Sequence, residues 1–180
     1  AMIPFTFMRH LTAAALNVYF NKQGPRGELK PVSFEKGPVG ADRVSDFTRK
    51  QLLDAEACVA CGRCEENCPA AISGKSLSPK KVMRNIFEQM ESWRPHPAPL
   101  SHLEEDITAD DIWSCTSCMA CVEHCPVFID PLDKIIDMRR HAVMGRGTLP
   151  KEARPMIRNL EIFGDVQGKG ISYRVDWAFN

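Results

Sequence analysis

The sequence predicts a mainly helical fold. Apolar residues recur at the three- and four-residue intervals of an amphipathic helix in several segments. Ser, Thr or Asp precedes most of these segments, and in two of them proline takes the first helical position, as is typical of helix starts. No stretch alternates polar and apolar residues over more than a few positions, so no half-buried strand is predicted.

The first predicted helix covers residues 3–20. Arg9 and His10 interrupt its apolar run, whereas a membrane-spanning helix needs about 18 or more largely uninterrupted apolar residues. Two interpretations therefore stay open, a helix that packs on this domain and a helix that contacts a membrane surface. Residues 21–44 are rich in Gly and Pro and predict an irregular arm. The helical periodicity of the first segment comes from Phe5, Phe7, Leu11, Ala15 and Val18.

Two further helices surround the first group of cysteines. Ser45-Asp46 predicts the N-cap of a helix that runs through Gln51 toward Cys58. Ser78-Pro79 predicts the start of a longer helix, and several prolines in residues 94–99 predict its end. The apolar stripe of this longer helix consists of Val82, Ile86, Phe87, Met90 and Trp93.

Three more helices follow along the chain. Thr108 predicts the cap of a short helix that ends near Trp113, just before the second group of cysteines. Asp130-Pro131 predicts the start of another helix, which Gly145 is placed to stop. A last helix is predicted from Arg154 to Phe163, with Gly164 at its end.

The composition excludes several classes of function. The chain has 180 residues with 44% hydrophobic and 26% charged residues, which is ordinary for a globular protein. Its 23 basic and 23 acidic residues cancel, so no nucleic-acid partner is expected. The apolar N-terminal segment is not followed by a small-residue cleavage site, which argues against a secreted disulfide framework. The eight cysteines therefore need another explanation.

All eight cysteines fall into two identical runs, each with the spacing C-x2-C-x2-C-x3-C-P. This is the established run of bacterial ferredoxins, in which the fourth cysteine binds the other cluster of a pair. The sequence therefore predicts two [4Fe-4S] clusters with all eight cysteines as metal ligands. Cluster I is predicted to bind Cys58, Cys61, Cys64 and Cys125, and cluster II to bind Cys115, Cys118, Cys121 and Cys68.

Two other uses of the cysteines fit the spacing less well. A structural zinc site usually takes its thiolates as two separated C-x2-C pairs and has no use for a third evenly spaced cysteine. Disulfides need pairs in a restricted geometry, and three cysteines at three-residue intervals are poorly placed for a nested set. The two complete runs favour iron-sulfur clusters over both.

The predicted role is electron transfer with no catalytic residue. Four cysteines for the four irons of each cluster leave no open iron position for a substrate. No dinucleotide-binding fingerprint is present, because Gly164, Gly168 and Gly170 lack the strand and helix that such a loop needs. Two alternatives stay open, a structural metal-binding module for protein interaction and a free-standing ferredoxin.

Residues 46–165, which hold both runs and the helix between them, resemble the alpha-helical ferredoxin domain. This domain occurs in iron-sulfur proteins of succinate dehydrogenase and of heterodisulfide reductase. Because both runs keep four cysteines, the resemblance to the heterodisulfide reductase proteins is favoured over that to the succinate dehydrogenase proteins. Three flanking segments, residues 46–54, 77–81 and 174–177, resemble membrane-associated iron-sulfur proteins related to heterodisulfide reductase, including proposed electron-transfer-flavoprotein:quinone oxidoreductases.

The resemblance implies three parts and several partners. Residues 1–45 would form an extended N-terminal arm with an apolar helix, residues 46–165 the dicluster domain, and residues 166–180 an extension toward a further domain. Implied partners are a cytochrome b-like membrane domain, a cysteine-rich CCG domain and an electron-transfer flavoprotein. The module would lie in the cytoplasm at the inner face of the cell membrane, as part of a larger oxidoreductase complex.

Overall fold

The computed structural model describes residues 8–21, 24–25, 27–32, 39–93 and 102–178. Helices dominate these ranges, and no strand occurs within them. The mainly helical class predicted from the sequence is confirmed. No helix within these ranges has the length and apolar character needed to cross a bilayer.

The chain divides into two compact units, Ala1–Gly145 and Arg146–Asn180. The first unit holds all eight cysteines and the eight α-helices described between residues 8 and 140. The second unit contains α9, Ala153–Phe163, which ends at Gly164 as predicted, and a 3-10 segment, Ile171–Ala178. The domain boundaries predicted after residues 45 and 165 stay predictions.

Helix α1, Met8–Tyr19, packs against α2, Arg49–Ala57. Residues 3–7 of the predicted first helix, with Phe5 and Phe7, lie outside the described residues. The buried side of α1 carries Ala13 and Asn17, so small and polar residues face the neighbouring helix. The face that holds Leu11, Ala15 and Val18 is exposed instead.

The start of α2 corrects one prediction. Ser45 and Asp46 do not cap this helix, because they lie in a separate 3-10 turn, Val44–Asp46. Thr48 is the N-cap, and its hydroxyl accepts from the Gln51 N–H while the Gln51 side chain accepts from the Thr48 N–H. This reciprocal capping box satisfies two N–H groups at the helix start, which a cap at Ser45 would leave unpaired.

Helix α5, Pro79–Trp93, follows the prediction closely. The Ser78 hydroxyl accepts from the Lys81 N–H at 3.1 Å, so Ser78 caps the helix ahead of Pro79. The Trp93 side chain and residues 94–101 lie outside the described part. The core face of α5 buries Val82, Met83, Ile86 and Met90.

Helices α6, Ala109–Trp113, and α8, Pro131–Arg140, also begin where predicted. The Thr108 side chain accepts from the Asp111 N–H, and the Asp130 side chain accepts from the Asp133 N–H. Beyond α8 the chain continues as one π-helical turn to the predicted end at Gly145.

The segment before α2 lies against the end of α8. The Ala41 N–H donates to the Asp137 carbonyl at 3.0 Å. Gly40 has a φ of 83°, and a Cβ there would overlap the Asp137 carbonyl oxygen and the His141 nitrogen. Only glycine fits this close approach. The end of the irregular arm is thus held on the same helix that follows the second cysteine run.

Three one-turn helices complete the first unit, and they surround the cysteines. Helix α3 is Arg63–Glu66, α4 is Pro69–Ile72 and α7 is Ala120–Glu123. One hydrophobic core runs beneath them and joins α2, α5 and α8 through Ala55, Leu77, Ile86, Ile112, Ile135 and Met138.

Candidate iron-sulfur site

The two cysteine loops share one backbone course. Ala60 and Ser117, each two residues after the first cysteine of its run, have φ values of 52° and 56°. Gly62 and Met119, each just after the second cysteine, have φ values of 91° and 62°. Left-handed residues at alternate positions curl a loop so that successive N–H groups point into one concave space. Such strain at a non-glycine residue is typical of a binding site.

The third cysteine of each run lies on a one-turn helix. Gly62 precedes α3, which carries Cys64, and Met119 precedes α7, which carries Cys121. The fourth cysteine follows the end of that turn and is succeeded by a proline. Cys68 is the N-cap of α4, where Pro69 takes the first helical position. The equivalent Cys125 leads through Pro126 toward α8.

The structure brings cysteines of both runs to one place. A cavity of the first unit is lined by Cys58, Cys61 and Cys64 of the first run and by Cys121 and Cys125 of the second. Four of these five are the predicted ligands of cluster I, and Cys121 is a predicted ligand of cluster II. Apolar side chains close the cavity on the other sides, namely Met83, Val127 and Ile129.

The remaining cysteines form a second group. Cys121 is buried, and its pKa is raised to about 12 by burial first and then by nearby charges that include Cys115, Cys64 and Cys68. Cys64 and Cys68 of the first run therefore both lie within electrostatic range of Cys121. Cys118 is exposed at the tip of the second loop. Which thiolate binds which cluster stays a prediction.

Backbone N–H groups face the sulfur atoms. The Ser117 N–H donates to Cys115 Sγ at 3.4 Å, and the Ile129 N–H donates to Cys125 Sγ at 3.3 Å. Burial raises the pKa of Cys58, the position that corresponds to Cys115, and a hydrogen bond from the Ala60 backbone offsets part of this rise. Each loop thus offers a donor to the first sulfur of its run, and such donors tune the reduction potential of iron-sulfur clusters.

The thiols need a cation to be ionised together. Burial raises the pKa of Cys64 to about 12, and the neighbouring Cys58, Cys125 and Cys61 contribute to this rise. Iron ions offset this cost, because coordination deprotonates a thiol and neutralises the repulsion between thiolates. No three His, Cys, Asp or Glu side chains of the described residues are placed to hold a single metal ion. A cubane makes a different demand, because each of its four thiolates binds a different iron.

A buried charge network lies beside the first loop. Lys134 of α8 is 0% exposed and donates to the Asp54 carboxylate and, at 3.0 Å, to the Asp130 carbonyl. Lys50 donates to the other Asp54 oxygen at 2.6 Å. The sequence alone does not identify Lys50, Asp54 and Lys134 as partners. Asp130 and Lys134 lie four positions apart, but nothing in their spacing identifies a partner on α2.

The N-terminal helix also reaches the site. Asn17 of α1 is 0% exposed, donates to the Val127 carbonyl at 2.9 Å and accepts from Lys50 Nζ at 2.6 Å. His10 of the same helix donates to the Glu56 carbonyl at 2.6 Å. Val127 follows Cys125 by two positions and Glu56 precedes Cys58 by two, so α1 supports the chain next to two predicted ligands.

Residues 54–129 match the family model of the 4Fe-4S dicluster domain. The chain contains a 4Fe-4S dicluster domain. The match covers both cysteine runs and the helices between them. A dicluster domain holds two [4Fe-4S] clusters, and the eight cysteines supply the thiolates that two cubanes need. The predicted cofactors are confirmed.

Relatives of this dicluster protein include components of redox systems. An EtfAB:quinone oxidoreductase of Syntrophomonas wolfei is 33% identical over 98% of this chain and 29% of the relative. A "probable membrane-anchored ferredoxin" of Chromohalobacter salexigens is 34% identical over 95% of this chain and 31% of the relative. An iron-sulfur protein of the CoB–CoM heterodisulfide reductase of Methanopyrus kandleri is 30% identical over 60% of this chain and 49% of the relative.

These relatives confirm the predicted resemblance to heterodisulfide reductase-related iron-sulfur proteins. The chain spans less than a third of the length of the first two relatives, at 29% and 31%. The similarity to them covers nearly all of this chain, including the N-terminal helix and the second unit.

Proposed function

We propose that this chain is the electron-relay module of a larger reductase and passes single electrons between two redox partners. The observation that carries the proposal is the cavity in which Cys58, Cys61 and Cys64 meet Cys125 of the other run. When bound, the two [4Fe-4S] clusters supply one-electron chemistry at closely spaced centres. The protein would hold the thiolates, offer N–H donors to the sulfurs and place apolar side chains along part of the cavity.

The reaction partners belong to the same proposal. One relative is named for a quinone and an electron-transfer flavoprotein, and others are named for a heterodisulfide. A quinone- or disulfide-linked acceptor and a soluble donor would suit a relay between them. The predicted cytochrome b-like membrane domain and CCG domain would supply the sites where substrates react, because saturated cubanes leave no iron open to them.

A membrane location is the second part of the proposal. Helix α1 exposes an apolar surface made of Leu11, Leu16, Val18 and Tyr19, although it packs on α2 by its other side. Exposed apolar residues on one side of a helix suit the interface of a bilayer. A membrane-anchored relative agrees with this reading. We place the module at the inner face of the cell membrane, with α1 against the lipid surface.

The direct test of the relay is the metal content of protein purified without oxygen. Two cubanes require about eight irons and eight labile sulfides per chain. We expect this ratio, a brown colour, and electron paramagnetic resonance (EPR) signals of two clusters after reduction. Stoichiometric zinc without labile sulfide would favour the structural metal-binding module instead.

A further inference from the structure

Arg139, on the last turn of α8, binds the start of the second cysteine loop. Its Nη2 donates to the Cys115 carbonyl at 2.5 Å, and its Nε donates to the Ile112 carbonyl at 2.8 Å. The guanidinium carbon lies 5.1 Å from the centre of the Trp113 ring, within the range of a cation-π contact. One side chain therefore joins α8 to the end of α6 and to the first ligand of the run.

Arg139 also supports the N–H that faces the sulfur. Its Nη1 donates to Ser117 Oγ at 3.4 Å, and the Ser117 N–H donates to Cys115 Sγ at the same distance. Ser117 has the strained φ of 56°, which persists only where the surroundings hold it. The arginine thus fixes the loop in the form that directs a donor at Cys115.

The guanidinium brings a fixed positive charge to this place. Burial lowers the pKa of Arg139 and the Cys115 thiolate raises it, but a guanidinium keeps its proton in proteins. No carboxylate among the described residues forms a salt bridge with it. A partly buried charge is screened less by water and salt than an exposed one. Its field therefore acts on the cluster that Cys115 binds.

The first loop lacks this feature within the described part of the chain. No lysine or arginine there donates to the Cys58 carbonyl. Arg63 and Lys80 line the cavity of the first group, but Arg63 is exposed, so solvent screens its charge more than that of a partly buried residue. Two other cations near this loop are paired with carboxylates, Lys80 with Glu65 and Lys134 with Asp54.

The carboxylates themselves do not distinguish the loops. The charge of Asp54 contributes to the raised pKa of Cys58 in the first group. The charge of Asp130 contributes in the same way to the raised pKa of Cys121 in the second. Both loops also offer an N–H to their first sulfur. The difference between the two sites is therefore that Arg139 is partly buried and bonds the loop backbone, whereas Arg63 is exposed.

We propose that Arg139 is a positioning residue that raises the reduction potential of cluster II above that of cluster I. The proposal rests on the relay function. Added negative charge is favoured near a cation and near N–H donors, so the reduced form of cluster II is stabilised. In the internal step one electron leaves reduced cluster I and enters oxidised cluster II, and no bond or proton moves. A single electron taken up from a partner would then reside on cluster II, the cluster that Cys115 is predicted to bind.

The test is an EPR-monitored redox titration of the cluster-loaded chain and of its Arg139→Gln and Arg139→Lys variants. Cys61→Ser and Cys118→Ser assign the signals, because each changes one exposed ligand of one run. We expect the signal altered by Cys118→Ser to appear first on reduction. Arg139→Gln should lower that midpoint and leave the other unchanged, and Arg139→Lys, which keeps the charge, should lower it less. A tenfold change in the equilibrium between the clusters corresponds to about 59 mV.

Arg140→Gln is the matched control, because Arg140 is the next residue of α8 but binds Asp137 and the Lys30 carbonyl. It should shift neither midpoint. The inference is overturned if cluster I is reduced first in the unsubstituted chain, or if Arg139→Gln leaves both midpoints in place. The order in which the two clusters are reduced in the unsubstituted chain tests the inference even if Arg139→Gln loses cluster II. Absence of both EPR signals would instead contradict the relay function itself.

Discussion

Cys68 is the residue on which the crossover between the two clusters depends. It is 7% exposed and belongs to the first run, and like Cys64 of that run it contributes to the raised pKa of Cys121 of the second. Its partner in the crossover is Cys125, which lines the cavity with the first-run cysteines. If the fourth cysteines exchange in this way, neither run can hold a complete cluster alone.

Replacement of Cys68 tests this exchange. Cys68→Ala should remove a ligand of cluster II, so iron should fall from about eight to about four per chain while cluster I persists. Iron analysis and EPR spectra of the reduced variant measure the outcome. Cys125→Ala is the matched variant and should damage cluster I instead. Loss of cluster I in Cys68→Ala, with cluster II kept, would show that each run binds its own cluster.

Asn17 is a buried polar residue whose removal should weaken the support of the ligand loop. Asn17→Ala leaves the Val127 carbonyl without its donor, which costs about 1–3 kcal/mol. We expect a lower thermal midpoint of the cluster-loaded protein, followed by circular dichroism without oxygen. Thr12→Ala serves as the control, because Thr12 is exposed and bonds only within α1. Equal midpoints for both variants would mean that the Asn17 contacts add no stability.

Residues differ in how far the sequence identifies them. The eight cysteines could be predicted because their spacing is a property of one short segment. Asn17, Lys134 and Arg139 could not, because a polar residue within a helix usually faces solvent. Their partners Val127, Asp54 and Cys115 come from other elements, so their roles exist only after the helices have packed.

At the scale of elements, α1 shows why periodicity predicts a helix better than it predicts a buried face. The recurrence of Leu11, Ala15 and Val18 correctly indicates a helix, but these residues are exposed. The opposite side packs on the rest of the unit and buries Ala13 and Asn17. Arg9 also attaches this helix to the unit through an ion pair with Glu91 at 2.7 Å. A similar ambiguity explains the misplaced cap of α2, because both Ser45 and Thr48 are good N-cap residues and only Thr48 has Gln three positions later.

The exposed side of α1 should bind lipid. We expect Leu16→Ser and Val18→Ser together to reduce flotation of the cluster-loaded chain with anionic phospholipid vesicles, because both remove apolar area from the proposed interface. Neither side chain is buried, so the fold should be kept. Ile72→Ser on α4 is the control for loss of an exposed apolar residue elsewhere. The proposed membrane contact is rejected if the double variant floats as well as the original chain and the control.

At the scale of the whole molecule, the two cysteine runs form a structural repeat. Both loops place left-handed residues at the same positions, and both carry the third cysteine on a one-turn helix. A buried aspartate stands four residues before each first cysteine, Asp54 before Cys58 and Asp111 before Cys115. The runs could be predicted to bind equivalent clusters from their spacing. The difference between the sites comes from α8, whose position depends on the packing of the complete unit.

The last prediction concerns what the chain does by itself. We expect the reduced, cluster-loaded chain to be re-oxidised by an artificial one-electron acceptor, but to turn over neither a quinone nor a heterodisulfide. Its eight cysteines are the predicted cluster ligands, which leaves no thiol for disulfide chemistry, and its glycines form no dinucleotide-binding fingerprint. The chain also spans less than a third of the relative named for quinone reduction, at 29%.

Stopped-flow absorbance follows the re-oxidation, and product analysis follows the two substrates. The cluster-depleted chain is the control for background reduction, and addition of the membrane and cysteine-rich domains should restore turnover if the relay feeds them. Sustained reduction of either substrate by the cluster-loaded chain alone, above the rate of the depleted chain, would contradict the assignment as a relay. Such activity would require an iron with an open coordination position, and therefore a cluster held by fewer than four cysteines.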